Sequence, residues 1–135
     1  MTNSVPFAFR LDAQSGVPVY RQLIDQVLGG MASGTLSPGS QLPTVRQVAV
    51  DLAINPNTVL RAYRELEIRG VLETQQGTGT FIAPQEVRRD EVERHRQLHQ
   101  LASEFAARAG AAGFTLRQVV EVLNDMAAEG REIAR

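Results

Sequence analysis

Two helix-start signals lying close together constrain this chain more than any other feature. Thr44-x-x-Gln47 matches a capping box, and shortly after it Asn55-Pro56 supplies an N-cap with a proline at the first helical position. Between them only a short helix fits, ending near Ala53, with Val45, Val48, Ala49 and Leu52 on one apolar face. The helix opened by Asn55 runs to Gly70, a natural stop. Its inner face is Val59, Ala62, Tyr63 and Leu66, and its outer face is Asn57, Thr58, Arg61, Arg64 and Glu65. Two helices joined by a tight turn, the second showing polar groups near its N-terminus, predict a helix-turn-helix whose second helix suits the major groove of B-DNA.

The flanks complete that pattern. From Pro18 to Ser33 the residues Tyr20, Leu23, Ile24, Val27, Leu28 and Met31 recur at helical spacing, with Gly34 to end the helix. Thr35 to Pro43 contains Pro38-Gly39-Ser40 and reads as loop. The β-prone runs Val71–Gln75 and Thr80–Ala83 enclose Gln76-Gly77-Thr78-Gly79, a hairpin with a glycine-rich tip. Three helices followed by a hairpin predict a winged helix. A long helix is expected from about Glu86 to Ala109, carrying Val87, Leu98, Leu101 and Phe105 and broken by Gly110 and Gly113. A last helix starts at Thr115, capped by Thr115 and Gln118, with Leu116, Val119, Val120, Leu123 and Met126 on its apolar face. The expected fold class is α+β, mostly α: a winged helix-turn-helix over residues 7–84, followed by a short two-helix C-terminal dimerisation region over 85–135.

Composition narrows the chemistry. A length of 135 residues suits one domain, or one small domain with an appendage. There is no cysteine, which excludes disulfides, thiolate zinc sites, iron–sulfur clusters and a cysteine nucleophile. Neither a phosphate-binding loop nor a dinucleotide fingerprint occurs, so no enzyme activity and no cofactor is expected. The 14 basic residues are all arginine, against 15 acidic ones. Residues 1–84 balance six arginines against six carboxylates, so the expected DNA-binding half has no overall basic field. The opening MTNSVPFAFRLD lacks a basic region ahead of an apolar stretch, and no apolar run of about 18 residues occurs. A cytoplasmic protein without a membrane partner is the expectation.

Side-chain chemistry assigns roles on the helix-turn-helix. Asn57 suits an adenine edge, Thr58 a phosphate or thymine methyl, and Arg61, one turn on, a guanine gripped bidentately. Thr44 and Arg46 lie where backbone N–H groups attract phosphate, and read as anchors. Asn57 and Thr58 are also ordinary helix-start residues, and Arg61 and Arg64 serve equally as solvated surface arginines. Leu98, Leu101, Phe105, Leu116, Val120 and Leu123 suit a homodimer contact, because a two-helix appendage has little core of its own; the alternative is that they fold onto the wing domain. Glu91, His95 and His99 follow one another at helical spacing, a weak metal candidate beside a charged, solvated face, so no metal is expected. A small-molecule effector in the cleft between tail and wing domain is an open possibility that no residue cluster decides.

The runs PVYRQLIDQV, LSPGSQLPTVRQVAVDL and INPNTVLRAYRELEIRGVLETQQGTGTFIA resemble the winged-helix domain of GntR-family bacterial transcription regulators over residues 7–83, and the short two-helix tail resembles the YtrA subfamily. The resemblance implies DNA contacts at Arg46, at Asn57, Thr58 and Arg61, and at the wing tip Gly77, Thr78, Gly79 and Thr80. It implies a homodimeric repressor on a palindromic double-stranded operator, with helix 55–69 in the major groove and the wing 76–80 in the minor groove. The family's wing often carries a basic residue beside its glycines; Gln75-Gln76-Gly77-Thr78-Gly79 has none, which weakens the expected groove contact. A winged helix used only for protein–protein contact is the competing reading.

Overall fold

The first helix, α1 (Val19–Ser33), starts after Pro18 and ends where Gly34 takes a left-handed φ of 87°. The computed structural model to which it belongs describes residues 7–84 and 90–134, with side chains through Gly130. After α1 come β1 (Gln41–Leu42), α2 (Val45–Leu52), α3 (Pro56–Ile68), β2 (Leu72–Gln75), β3 (Gly79–Ile82), α4 (Glu91–Ala111) and α5 (Leu116–Ala134). The chain divides into two units, Met1–Pro84 with Glu129–Arg135, and Gln85–Ala128.

In the first unit the three helices meet on one apolar core. Leu23, Ile24 and Val27 of α1, Val48 and Ala49 of α2, and Val59, Ala62, Tyr63 and Leu66 of α3 are buried together with Leu42, Leu72 and Ile82 of the sheet. Tyr20, Leu28, Met31, Val45 and Leu52 pack on it from the rim. Two further parts of this core lie outside the expected elements. Phe9 and Leu36 are buried, and the rings of Phe7 and Phe9 meet edge to face at 5.0 Å. Gln22 and Gln26 of α1 hold the segment that carries Phe9: Gln26 Oε1 accepts from Arg10 N at 2.8 Å, and Gln22 Oε1 from Asp12 N at 2.9 Å.

The sheet has three antiparallel strands in the order β1-β3-β2. The expected loop from Thr35 to Pro43 therefore needs a correction, since it contains β1, with Gln41 opposite Phe81 and Leu42 opposite Thr80. A strand of two residues has no alternation to read; its hydrogen bonds to β3 define it.

Helix ends follow their capping chemistry. Thr44 Oγ1 accepts from Gln47 N at 3.0 Å, but the Gln47 amide turns forward to Asp51 Oδ1 at 2.7 Å, so only half of the expected capping box forms. At α5 the box is reciprocal: Thr115 Oγ1 accepts from Gln118 N and Gln118 Oε1 from Thr115 N. Asp90 caps α4 through Glu93 N at 3.0 Å. The long helix α4 starts at Glu91, and the expected start at Glu86 and Val87 lie outside the described residues. Gly110 does not break α4, which continues to Ala111. A helical glycine costs about 1 kcal/mol without ending the helix. Gly113, at φ 89°, ends it, with Phe114 N bonded to Ala109 O and Gly113 N to Gly110 O in a Schellman closure.

In the second unit, Leu98 and Leu101 of α4 are each 64% exposed, and Phe105, Leu116, Val120 and Leu123 are about half exposed or more. Among the described residues no helix is long and apolar enough to cross a membrane.

Candidate nucleic-acid interface

The outward side of α3 is set by its two ends and by one buried hydroxyl. Asn55 Oδ1 accepts from Asn57 N at 2.8 Å, with Pro56 at the first helical position. At the other end Val71 N bonds Leu66 O and Gly70 N bonds Glu67 O, again a Schellman closure. Between the ends, the buried Tyr63 hydroxyl donates to Pro43 O at 2.6 Å, tying the middle of α3 to the entrance of α2. Burial pushes the Tyr63 phenol well above its ordinary range, so it stays a neutral donor.

The turn between α2 and α3 closes on Ala53, whose φ of 55° is the one positive value at a non-glycine residue among those described. Ile54 N bonds Ala49 O at 3.0 Å and Ala53 N bonds Val50 O at 3.2 Å, closing α2 as Gly70 closes α3. With α2 and α3 fixed in this way, Val59, Ala62, Tyr63 and Leu66 face the core while Asn57, Arg61 and Arg64 are exposed and Thr58 is half-buried.

Asn57, Arg61 and Arg64 line one shallow depression together with Tyr20 and Glu65. Thr58 is not part of it. Thr44 and Arg46 stand at the start of α2, where Thr44 caps Gln47 N and Val48 N closes the first turn on Thr44 O. The N–H groups of Val45 and Arg46, ahead of the first intrahelical bond, point out of the helix start as anion donors.

Charge on this surface differs from the balance of the whole. Among the described residues the ion pairs are Arg69 with Glu65 at 3.1 Å and Arg96 with Glu93 at 2.8 Å. Arg46, Arg61 and Arg64 are in neither. The carboxylate nearest them along α3, Glu65, is turned to Arg69, which leaves a locally positive face on a unit of balanced charge. Such a face attracts phosphate without a basic overall field.

At the hairpin tip, Thr78 N bonds Gln75 O at 3.0 Å around Gly77 at φ 80°, a conformation suited to glycine. Gly77 and Thr78 are exposed, and Gly79 and Thr80 lie in β3, half-buried, with Thr80 opposite Thr74. Gln41, unforeseen from its position in a loop-like run, braces the tip by donating from Nε2 to Thr78 O at 3.2 Å. A Cβ on Gly79 would fall 2.5 Å from that same nitrogen. Tyr20, read from the sequence only as part of the α1 apolar face, carries the Arg61 guanidinium on its ring, with 3.8 Å from Cζ to the centroid.

Glu91, His95 and His99 do not converge on a point. They follow one another along α4, where His99 Nδ1 lies 3.5 Å from Ser103 Oγ, and no group of three His, Cys, Asp or Glu suited to a metal is found among the described residues.

The family profile described as "Bacterial regulatory proteins, gntR family" matches residues 19–82. An HTH-type transcriptional regulator of Mycobacterium tuberculosis is 49% identical over 74 residues, covering 55% of this chain and 61% of that protein. The HTH-type transcriptional regulator YhcF of Bacillus subtilis is 35% identical over 108 residues, covering 80% of this chain and 88% of that protein. The HTH-type transcriptional repressor YtrA of the same organism is 43% identical over 74 residues, covering 55% of this chain and 57% of that protein. The chain thus spans about three fifths of the length of two of these relatives. Among solved structures, YtrA from Sulfolobus acidocaldarius, a GntR-family transcription factor, superposes with a TM-score of 0.52 at 33% identity, covering 69% of this chain and 99% of that one.

Proposed function

The chain belongs to the GntR family of bacterial regulatory proteins, in its YtrA subfamily, and on that premise we propose that it is a homodimeric repressor binding a palindromic DNA operator. Helix α3, from its cap at Asn55 to Arg69, lies in the major groove, and the wing from Gln76 to Thr80 lies along the minor groove. The observation that carries this reading is the outer side of α3: Asn57, Arg61 and Arg64 share one exposed depression, and Glu65 is engaged elsewhere. Asn57 presents an amide suited to an adenine edge and Arg61 a fork suited to guanine O6 and N7. Arg46 and the N–H groups at the start of α2 hold phosphate and set the register. The wing has no basic side chain, so its share of affinity comes from the Thr78 and Gln76 groups and from backbone that glycine lets approach closely.

The proposed roles separate in one experiment. Arg61→Ala is expected to relax preference at one base pair, a loss of about 1–3 kcal/mol of discrimination, while Arg46→Ala weakens binding to all duplexes alike and lowers the salt slope by about one. Binding isotherms on an operator duplex and a scrambled duplex, taken across a salt series, read both quantities. Equal losses on both duplexes from both substitutions would contradict the assignment of Arg61 to base reading.

The exposed apolar side chains of α4 and α5 support the dimer. Leu98, Leu101, Phe105, Leu116, Val120 and Leu123 are each about half exposed or more, and large apolar side chains left in water in such number mark an interaction surface. A second copy covers it, placing two α3 helices on two half-sites.

A further inference from the structure

Of the two arginines in the α3 depression, Arg61 is the one that the fold supports, on an aromatic ring. Its guanidinium carbon lies 3.8 Å from the centroid of the Tyr20 ring. Tyr20 stands in the first turn of α1, half-buried, its body packed against the core that also holds α3. We infer that Tyr20 is a positioning residue for operator recognition, a rigid aromatic platform that holds Arg61 extended with its hydrogen-bonding edge open to a base. This inference rests on the reading of α3 as the major-groove helix.

The competition on α3 supports that role. Glu65 is four residues beyond Arg61 and four before Arg69, so both arginines are in range for a helical ion pair. The carboxylate goes to Arg69, at 3.1 Å, and Arg61 goes to the ring. The two outcomes differ in what remains usable. A carboxylate engages guanidinium through its in-plane N–H groups, the same groups that read guanine O6 and N7. A ring engages it through its face, which leaves the planar fork of donors free. Stacking also removes rotamer freedom from a long side chain before DNA arrives, and a preorganised group binds better than a mobile one. Arg64, exposed on the same depression, has no comparable support, so sharp base selection belongs to Arg61.

The test uses the full chain and the duplex that the wild type enriches from a random library. Dissociation constants are measured for wild type, Tyr20→Phe, Tyr20→Leu, Arg61→Ala and the Tyr20→Leu, Arg61→Ala double variant, on that duplex and on versions altered at each base pair. Tyr20→Phe keeps the π face and is expected to match wild type. Tyr20→Leu keeps apolar packing without the face, and is expected to weaken binding by about three- to thirtyfold. That loss is expected to be concentrated at the base pair where Arg61→Ala flattens preference, and to vanish in the Arg61→Ala background. A Tyr20→Phe loss as large as that of Tyr20→Leu, or a Tyr20→Leu loss that persists without Arg61, overturns the inference. Should Tyr20→Leu not fold, the Arg61 δ-methylene resonances of the free wild type decide: ring-current displacement upfield supports the platform, and unshifted resonances overturn it. A wild type that enriches no duplex overturns the regulator reading itself, and is separable from a wild type that binds tightly while Tyr20→Leu is unimpaired.

Discussion

At the residue scale, the helix-turn-helix carries strain at one position. Ala53 holds a left-handed φ of 55° where α2 gives way to α3, a site glycine fills without steric cost. Its Cβ clashes with its own backbone, but the two hydrogen bonds around it, from Ile54 N to Ala49 O and from Ala53 N to Val50 O, hold the turn closed. Ala53→Gly is therefore expected to raise stability by about 0.5–1 kcal/mol, the relief of strain being partly offset by the greater freedom of glycine in the unfolded chain. Urea unfolding reads this as a higher midpoint at unchanged slope, while DNA binding stays as in wild type. A lower midpoint would mean that the turn is not strained at Ala53.

At the scale of elements, the helix boundaries were legible because capping is local. Thr44, Asn55 and Thr115 each stand where the sequence places a helix start, and Gly34 and Gly70 where it places an end, whereas α4 runs through Gly110 past the expected end at Ala109. The inner face of α3 was legible for the same reason, since Val59, Ala62, Tyr63 and Leu66 follow the helical period and all are buried. What escaped was non-local. β1 has two residues and exists through its partner; Phe9 enters the core from a segment with no periodicity; and Tyr20 meets Arg61 across a wide gap in sequence. The wing shows the same dependence. Gly79 sits at φ 137° with the Gln41 side chain occupying the place its Cβ would take, so tip, β3 and β1 form one braced element. Gly79→Ala is expected to cost about 1–3 kcal/mol by forcing an unfavourable backbone conformation and displacing Gln41. It is also expected to weaken DNA binding beyond what thermal unfolding of the free protein explains. An unchanged melting temperature would show that the brace is dispensable.

At the scale of the whole molecule, the two units divide the work. On the proposed reading the first reads DNA with a charge-balanced body and a locally positive α3 face, and the second brings two such bodies together through apolar side chains that a single chain leaves exposed. Leu101→Glu with Leu123→Glu places charge among those apolar side chains, at two positions of the second unit. The pair is expected to sediment as a monomer where wild type sediments as a dimer, with melting of the first unit unchanged. Operator affinity should fall by roughly 10²-fold or more, because the second half-site is no longer bound as part of one assembly. A wild-type monomer that binds DNA as tightly as the variant would remove the dimer from the account. The central claim, sequence-specific recognition by a two-fold regulator, is tested most directly by selecting duplexes from a random library with the purified full chain at physiological salt. Enrichment of an inverted repeat is expected, with half-sites about one helical turn apart or a multiple of it, and its loss with Arg61→Ala. Enrichment of no motif by the folded wild type would contradict it and turn the winged helix toward a protein partner.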